Sequence, residues 1–178
     1  MKHLQIEQIT VLLDATTNDR DRLFLAMTYE HGLRVSEALA LTPDRVKSGH
    51  LLTKPGKGGN LTVQQLAPDT LKLWSALTLN LAPSTRVFPF TRQRAHAIFH
   101  TACEAAGIAL APRQGIHSLR HSIAHHLLDC GYTLPMVQRK LGHKSISSTG
   151  CYLLADDSQV DAATAAVVAK RKACGKVA

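Results

Sequence analysis

Apolar residues recur at helical spacing through most of the chain and give way to a strand-like pattern in one short stretch. Ile6, Ile9, Leu12 and Leu13 share one face of a helix expected over Leu4–Ala15. A second helix is expected over Asp19–Glu30, with Leu23 and Met27 inward and Leu25 as a further candidate. His31-Gly32 ends it, because glycine accepts the left-handed cap conformation. Val35–Leu41 predicts a short third helix that Pro43 stops. Val46–Thr53 and Leu61–Leu66 read as two strands, separated by the turn-rich segment Lys54-Pro55-Gly56-Lys57-Gly58-Gly59-Asn60. Beyond Pro68 the pattern predicts helices over about 69–80, 91–106, 117–130 and 134–141. A short element at about 146–153 and an Ala-rich helix at about 158–172 follow. No internal repeat is present. The expected fold is mainly α with a small antiparallel β-sheet at one edge, an α+β arrangement.

Charge adds a partner class. The 178 residues carry 21 Lys and Arg against 13 Asp and Glu, a formal net charge of +8. That excess suggests an anionic partner, nucleic acid before membrane. It is localised: residues 1–50 hold 6 bases and 7 acids, whereas residues 51–150 hold 11 bases and 3 acids. A basic face is therefore favoured over a basic tail. Aromatic residues are 4% of the chain, few for a surface that stacks unpaired bases, so duplex DNA is the better match. Cys103, Cys130, Cys151 and Cys174 show no CxxC spacing and read as reduced thiols, not as a zinc knuckle or disulfide scaffold. The N-terminus lacks the apolar run of a signal peptide. No stretch approaches the roughly 20 apolar residues of a membrane span. A cytoplasmic protein without a membrane partner is expected.

The strongest chemical signal is Gly115-Ile116-His117-Ser118-Leu119-Arg120-His121-Ser122. His117 and Arg120 are three apart on a helix and share a face, with Leu119, Ile123 and Leu127 as the apolar stripe opposite. Both side chains are thus expected to point out of the core, where they suit a phosphate. From this segment alone a merely solvated polar face is an equal reading. Residues 141–152 place His143 just beyond a helix ended by Gly142, and Tyr152 nine residues later. A tyrosine becomes a covalent nucleophile only where something accepts its proton. Arg34 stands at the start of a helix, where Ser36 is a candidate cap and Glu37 a candidate partner for the arginine. Lys57 lies in the turn between the strands. His117, His121 and His125 are spaced by four, but no carboxylate or cysteine at ligand spacing completes a site, so no metal is assigned. His125 and His126 are expected at the surface or lightly buried.

Together "HGLRVSEALAL", the "GKG" of the hairpin, "HSLRH" and "LGHKSISSTGCY" resemble the catalytic domain of the tyrosine recombinases, the phage-type integrases. Order and spacing match over nearly the whole chain. The resemblance implies a DNA strand transferase that breaks and rejoins duplex DNA through a 3′-phosphotyrosyl bond, with no ATP, metal or other cofactor. It implies catalytic roles for Arg34, Lys57, His117, Arg120, His143 and Tyr152, with Lys54 as the fallback lysine. Tyr29 and Tyr132 lack matching context and are read as structural. Lys54, Arg92, Arg94 and Lys144 are expected to contact DNA. The resemblance further implies a homo-tetramer on DNA and a monomer when free, with DNA-bending accessory proteins as a further partner. The C-terminal helix at about 157–172 is a candidate for exchange between protomers.

Residues 1–178 read as a single catalytic domain without the N-terminal core-binding domain of most members. Bacterial, phage or plasmid origin and association with the nucleoid are expected. Asn60-Leu61-Thr62 stands where many members have basic residues, and Cys151 beside Tyr152 has no physical account. Two other readings stay open: a type IB topoisomerase-like relaxation activity, and a non-enzymatic DNA-binding regulator. The latter would need none of the six residues together.

Overall fold

The computed structural model describes residues 3–53 and 61–142. The Lys54–Asn60 turn, the short element at about 146–153 and the Ala-rich helix lie outside the described residues. Seven helices and one three-stranded sheet occupy the described part. They are α1 (Ile6–Asp14), α2 (Asp19–Glu30), α3 (Val35–Ala38), a single 3-10 turn (Pro43–Arg45), β1 (Val46–Lys47), β2 (His50–Thr53) and β3 (Thr62–Gln65). Then follow α4 (Pro68–Thr78), α5 (Arg92–Ala105), α6 (His117–Asp129) and α7 (Leu134–Leu141). The sheet is antiparallel in the order β1-β2-β3, and Thr53 pairs with Thr62 where the β2–β3 ladder ends.

The helix α2 sets the arrangement. Asn18 caps it by accepting from the backbone N–H groups of Arg20 and Asp21. Leu23, Phe24, Leu25, Ala26, Met27 and Thr28 are all buried. A helix buried all round is surrounded by protein: α6 and α4 pack on it, and α1 and α3 adjoin it. The sequence pattern pointed to one inward face only. Phe24 meets Phe88 and Phe90 edge-on at centroid distances of 5.3 and 5.7 Å, so the irregular 82–91 connection is part of the core.

The expected strand over Val46–Thr53 is two strands. Ser48 and Gly49 both adopt positive φ, 49° and 75°, the geometry of a two-residue turn whose twist matches a hairpin. Ser-Gly is a turn signal inside the longer strand-like stretch from Val46 to Thr53. The expected third helix is also shorter, ending at Ala38 instead of Leu41.

The end of α2 is tightly built. Gly32 has φ +59°. Its N–H reaches Tyr29 O at 3.0 Å and the N–H of Leu33 reaches Thr28 O at 3.1 Å, the paired bonds of a Schellman cap. A Cβ at Gly32 would overlap Cδ2 of Leu141 and press on Ile123. The positive φ favours glycine, and a Cβ would in addition force the buried Leu141 side chain to shift. Gly32→Ala is expected to lower unfolding stability by about 2–3 kcal/mol, measured as a reduced midpoint in urea with an unchanged slope.

Candidate active site

Three helix ends meet beside Gly32. The first supplies Arg34, the N-cap residue of α3. Glu37, one turn on, accepts from the backbone N–H of Arg34 through Oε2 and from its Nη1 through Oε1, both at 2.8 Å. One carboxylate thus caps the helix and orients the arginine. Ser36 lies inside α3 and is not the cap. The Arg34 side chain remains 44% exposed, so its charge faces solvent.

Arg120 does not point out of the core. It is 7% exposed. Its Nη1 donates to Gly32 O in a short bond, and its Nη2 donates to Leu141 O at 3.0 Å. Glu37 Oε2 lies 3.8 Å from Nη1. The reason is the backbone chemistry of helix ends. The last carbonyls of a helix have no partner within it, and a guanidinium satisfies two such groups from one plane. Gly32 O follows the end of α2 and Leu141 O ends α7, so Arg120 on α6 joins all three. Glu37 stands between Arg34 and Arg120, a second role that the sequence did not reveal.

His117 opens α6 and is exposed. Its pKa lies below the ordinary imidazole value, first because its neighbours shield it from water. The positive charges of His96, Arg120, Arg34 and Arg92 act in the same direction. His117 is therefore neutral at pH 7, with the guanidinium groups of Arg120, Arg34 and Arg92 near enough to disfavour its protonation. Arg92 is exposed at the start of α5. Arg94 turns elsewhere: its Nη2 is 3.7 Å from Asp21 Oδ2, near the start of α2. Two residues apart on a helix, the two arginines do not share a face. Lys54, Lys57, His143, Lys144 and Tyr152 lie outside the described residues.

The remaining histidines hold the fold together. His126 is buried at 5% exposure, contrary to the surface position expected for it. Its Nε2 donates to Leu4 O at 2.9 Å, so its Nδ1 accepts from the Tyr29 hydroxyl at 2.8 Å. His125 is half-buried and stacks on His3 at 4.3 Å. Among the described residues, no group of three His, Cys, Asp or Glu side chains is placed to hold a metal ion. Cys103 is buried, which pushes its thiol up to about 12, and Cys130 is exposed. No helix among the described residues is long and apolar enough to cross a membrane.

The sequence and the mainly helical scaffold both have known counterparts. The sequence profile of the phage integrase family matches residues 1–159. The chain is 36% identical over 149 residues to the tyrosine recombinase XerC of Mycobacterium tuberculosis, covering 75% of this chain and 49% of that protein. It is 31% identical over 172 residues to XerD of Corynebacterium glutamicum, covering 84% of this chain and 55% of that protein. The chain thus spans about half the length of these relatives. Among solved structures, XerA recombinase superposes with a TM-score of 0.75 at 21% identity, over 90% of this chain and 63% of that one. The catalytic domain of bacteriophage HP1 integrase superposes with a TM-score of 0.70 at 26% identity, over 92% and 94%. The chain belongs to the phage integrase family, the tyrosine recombinases, and has the fold of their catalytic domain.

The histidines also set an acid limit. His31 is buried and lowered to about 4, first by burial and then by the charge of Lys140. His117, His121, His125 and His126 are lowered too, burial again the first cause. Each is harder to protonate folded than unfolded, so the unfolded chain takes up protons first as pH falls. Stability is expected to be full above the ordinary value of 6.5 and to decline from there toward about 4. Urea unfolding across that range checks it, and His31→Gln should flatten the lower part of the decline.

Proposed function

We propose that the chain is the catalytic unit of a site-specific DNA recombinase that cuts and rejoins duplex DNA. The observation that carries this reading is the pair of arginines joined through Glu37, with a neutral histidine beside them. Phosphoryl transfer needs charge stabilised on the non-bridging oxygens. Arg34 offers an exposed fork for them. Arg120 adds its charge from a buried seat, where low dielectric strengthens it. Tyr152 attacks the phosphorus, and the bond to the 5′ oxygen breaks. Neutral His117 serves as a base for the phenol proton. Lys57 protonates the leaving oxygen and His143 donates to the phosphate. The phosphotyrosyl ester conserves the bond energy, so a free 5′-hydroxyl reverses the step without ATP or metal.

The site holds one nucleophile and cuts one strand, so exchange between two duplexes requires four copies. The reading is a tetramer on DNA and a monomer when free, in a cytoplasmic, nucleoid-associated protein. Residues 157–172 dock on a neighbouring copy. An apolar groove of about 460 Å³, lined by Leu61, Val63, Leu127, Tyr132 and Met136, supports that reading. Leu61, Val63, Tyr132 and Met136 are large exposed apolar residues there, and the sequence of the 157–172 segment carries a modest apolar stripe of Val160, Ala163, Val167 and Val168.

Trapping tests the chemistry. With a pool of nicked suicide duplexes of random sequence, the wild-type chain is expected to form an adduct stable to denaturing electrophoresis. Tyr152→Phe should form none while retaining DNA binding, because only the hydroxyl is lost. An adduct with Tyr152→Phe, or none with the wild type, would refute the assignment. DNA binding itself should weaken steeply with salt. Arg92→Ala is expected to reduce the salt slope by about one. Arg94→Ala should reduce it by clearly less, since Asp21 already partners that guanidinium. Fluorescence anisotropy at several salt concentrations separates the two.

A further inference from the structure

The strand β3 inverts the usual rule. Thr62 and Gln64 face inward, while Val63 is 61% exposed and Gln64 only 8%. Apolar burial therefore does not set the register of this strand. A buried amide is costly unless its hydrogen bonds are made, and those of Gln64 are made to three different places. Its Oε1 accepts from His31 Nδ1 at 3.2 Å. Its Nε2 donates to the carbonyl of Lys140 at 3.0 Å and to Thr62 Oγ1 at 3.2 Å. The carbonyl contact fixes which end of the amide is nitrogen, and so places the His31 proton on Nδ1. The Thr62 hydroxyl, which accepts from Gln64, also shares a hydrogen bond with Thr53 Oγ1 at 2.7 Å. The chain of bonds thus ends on the Thr53–Thr62 pair, where the ladder closes and the 54–60 turn begins.

Gln64 and Arg120 form a complementary pair of grips. Arg120 holds the carbonyls of Gly32 and Leu141 from α6. Gln64 holds the side chain of His31 and the carbonyl of Lys140 from the hairpin. Neighbouring residues of the α2 cap and of the last turn of α7 are each seized from two sides. His31, Thr53, Thr62 and Gln64 are all buried, so water does not compete for these bonds.

We propose that Gln64 is a positioning residue that locks the base of the lysine hairpin to the arginine-bearing turn and to the end of α7. The inference rests on the reading that Lys57 protonates the leaving oxygen. A general acid displaced by about 1 Å loses much of its effect. The loss then falls on leaving-group departure and spares the grip on the phosphate.

The experiment uses the full chain and the duplex recovered by adduct trapping, synthesised with oxygen or with sulfur at the 5′-bridging position. Sulfur departs without a proton. Gln64→Leu keeps size and burial but makes no hydrogen bond. Thr62→Val keeps the Gln64 bonds to His31 and Lys140 and removes the Thr62 hydroxyl, with its links to both Gln64 Nε2 and Thr53. Both variants are expected to cleave the oxygen substrate roughly tenfold or more slowly and the sulfur substrate within about twofold of wild type. Equal losses on both substrates, or wild-type rates on oxygen DNA, overturn the inference. If Gln64→Leu fails to fold, judged by circular dichroism, Thr62→Val decides alone. Lys57→Ala is the reference. Rescue there without rescue in the other two overturns this inference only. No rescue in Lys57→Ala overturns the lysine assignment, and the inference with it.

Discussion

The organisation of the described structure hangs on one buried guanidinium. A charge taken out of water is strongly unfavourable unless its surroundings replace that water. Around Arg120 they do so with the carbonyls of Gly32 and Leu141 and the carboxylate of Glu37. Each of those groups would itself be poorly placed without Arg120. The carbonyls belong to helix ends and Glu37 caps a third helix, so one side chain fixes α2, α3 and α7 against α6. A lysine could not substitute, because an ammonium on a flexible stem does not present two parallel donors in one plane. The same seat favours glycine at position 32, where the backbone is left-handed and the Leu141 side chain packs against the site of a Cβ.

The cost of this construction is electrostatic. Arg34, Arg92, His96 and Arg120 all bear on His117 with the same sign. Glu37 is the acid in direct contact with the two arginines Arg34 and Arg120. Cations held together in this way repel one another when no guest is present. Preorganised charge of this kind trades folding stability for function. The fold bears the strain because α2, buried from Leu23 to Thr28, supplies an apolar frame that does not yield.

Much of this was legible in the amino-acid sequence, and the exceptions share a cause. Helical periodicity located α2 and α4 to α7 within a residue or two, and the charge distribution and motif spacing identified the family. Periodicity reports which face is apolar, and reports nothing about a polar residue that is buried because helix ends require it. Arg120 was therefore expected in solvent and is buried, and His126 likewise. The inward Gln64 of β3 was invisible for the same reason: alternation assigns Val63 to the core, whereas the hydrogen bonds of Gln64 assign the opposite face. The Ser48-Gly49 turn is legible as a turn dipeptide between Lys47 and His50, but the stretch from Val46 to Thr53 reads as one strand. Glu37 was found as the partner of Arg34 because it is local. Its approach to Arg120 joins residues far apart in the chain, which no spacing rule reaches.

The apolar core is also divided. Ala124, Val137 and Leu141 form a small cluster with Ile123, Leu127 and Leu128, apart from the large core around α2. Among the described residues, the helix α7 is thus seated by few buried apolar contacts and by polar bonds from Gln64 and Arg120. An element held in this way opens at a free energy well below that of global unfolding. Its amide hydrogens will exchange as a separate cooperative unit, faster than those of α2. The helix α7 is followed in the chain by residues 143–178, which are therefore tethered to an element that is held separately from the main core. Sequence changes in the small cluster can therefore loosen this helix alone while the melting temperature of the domain stays where it was.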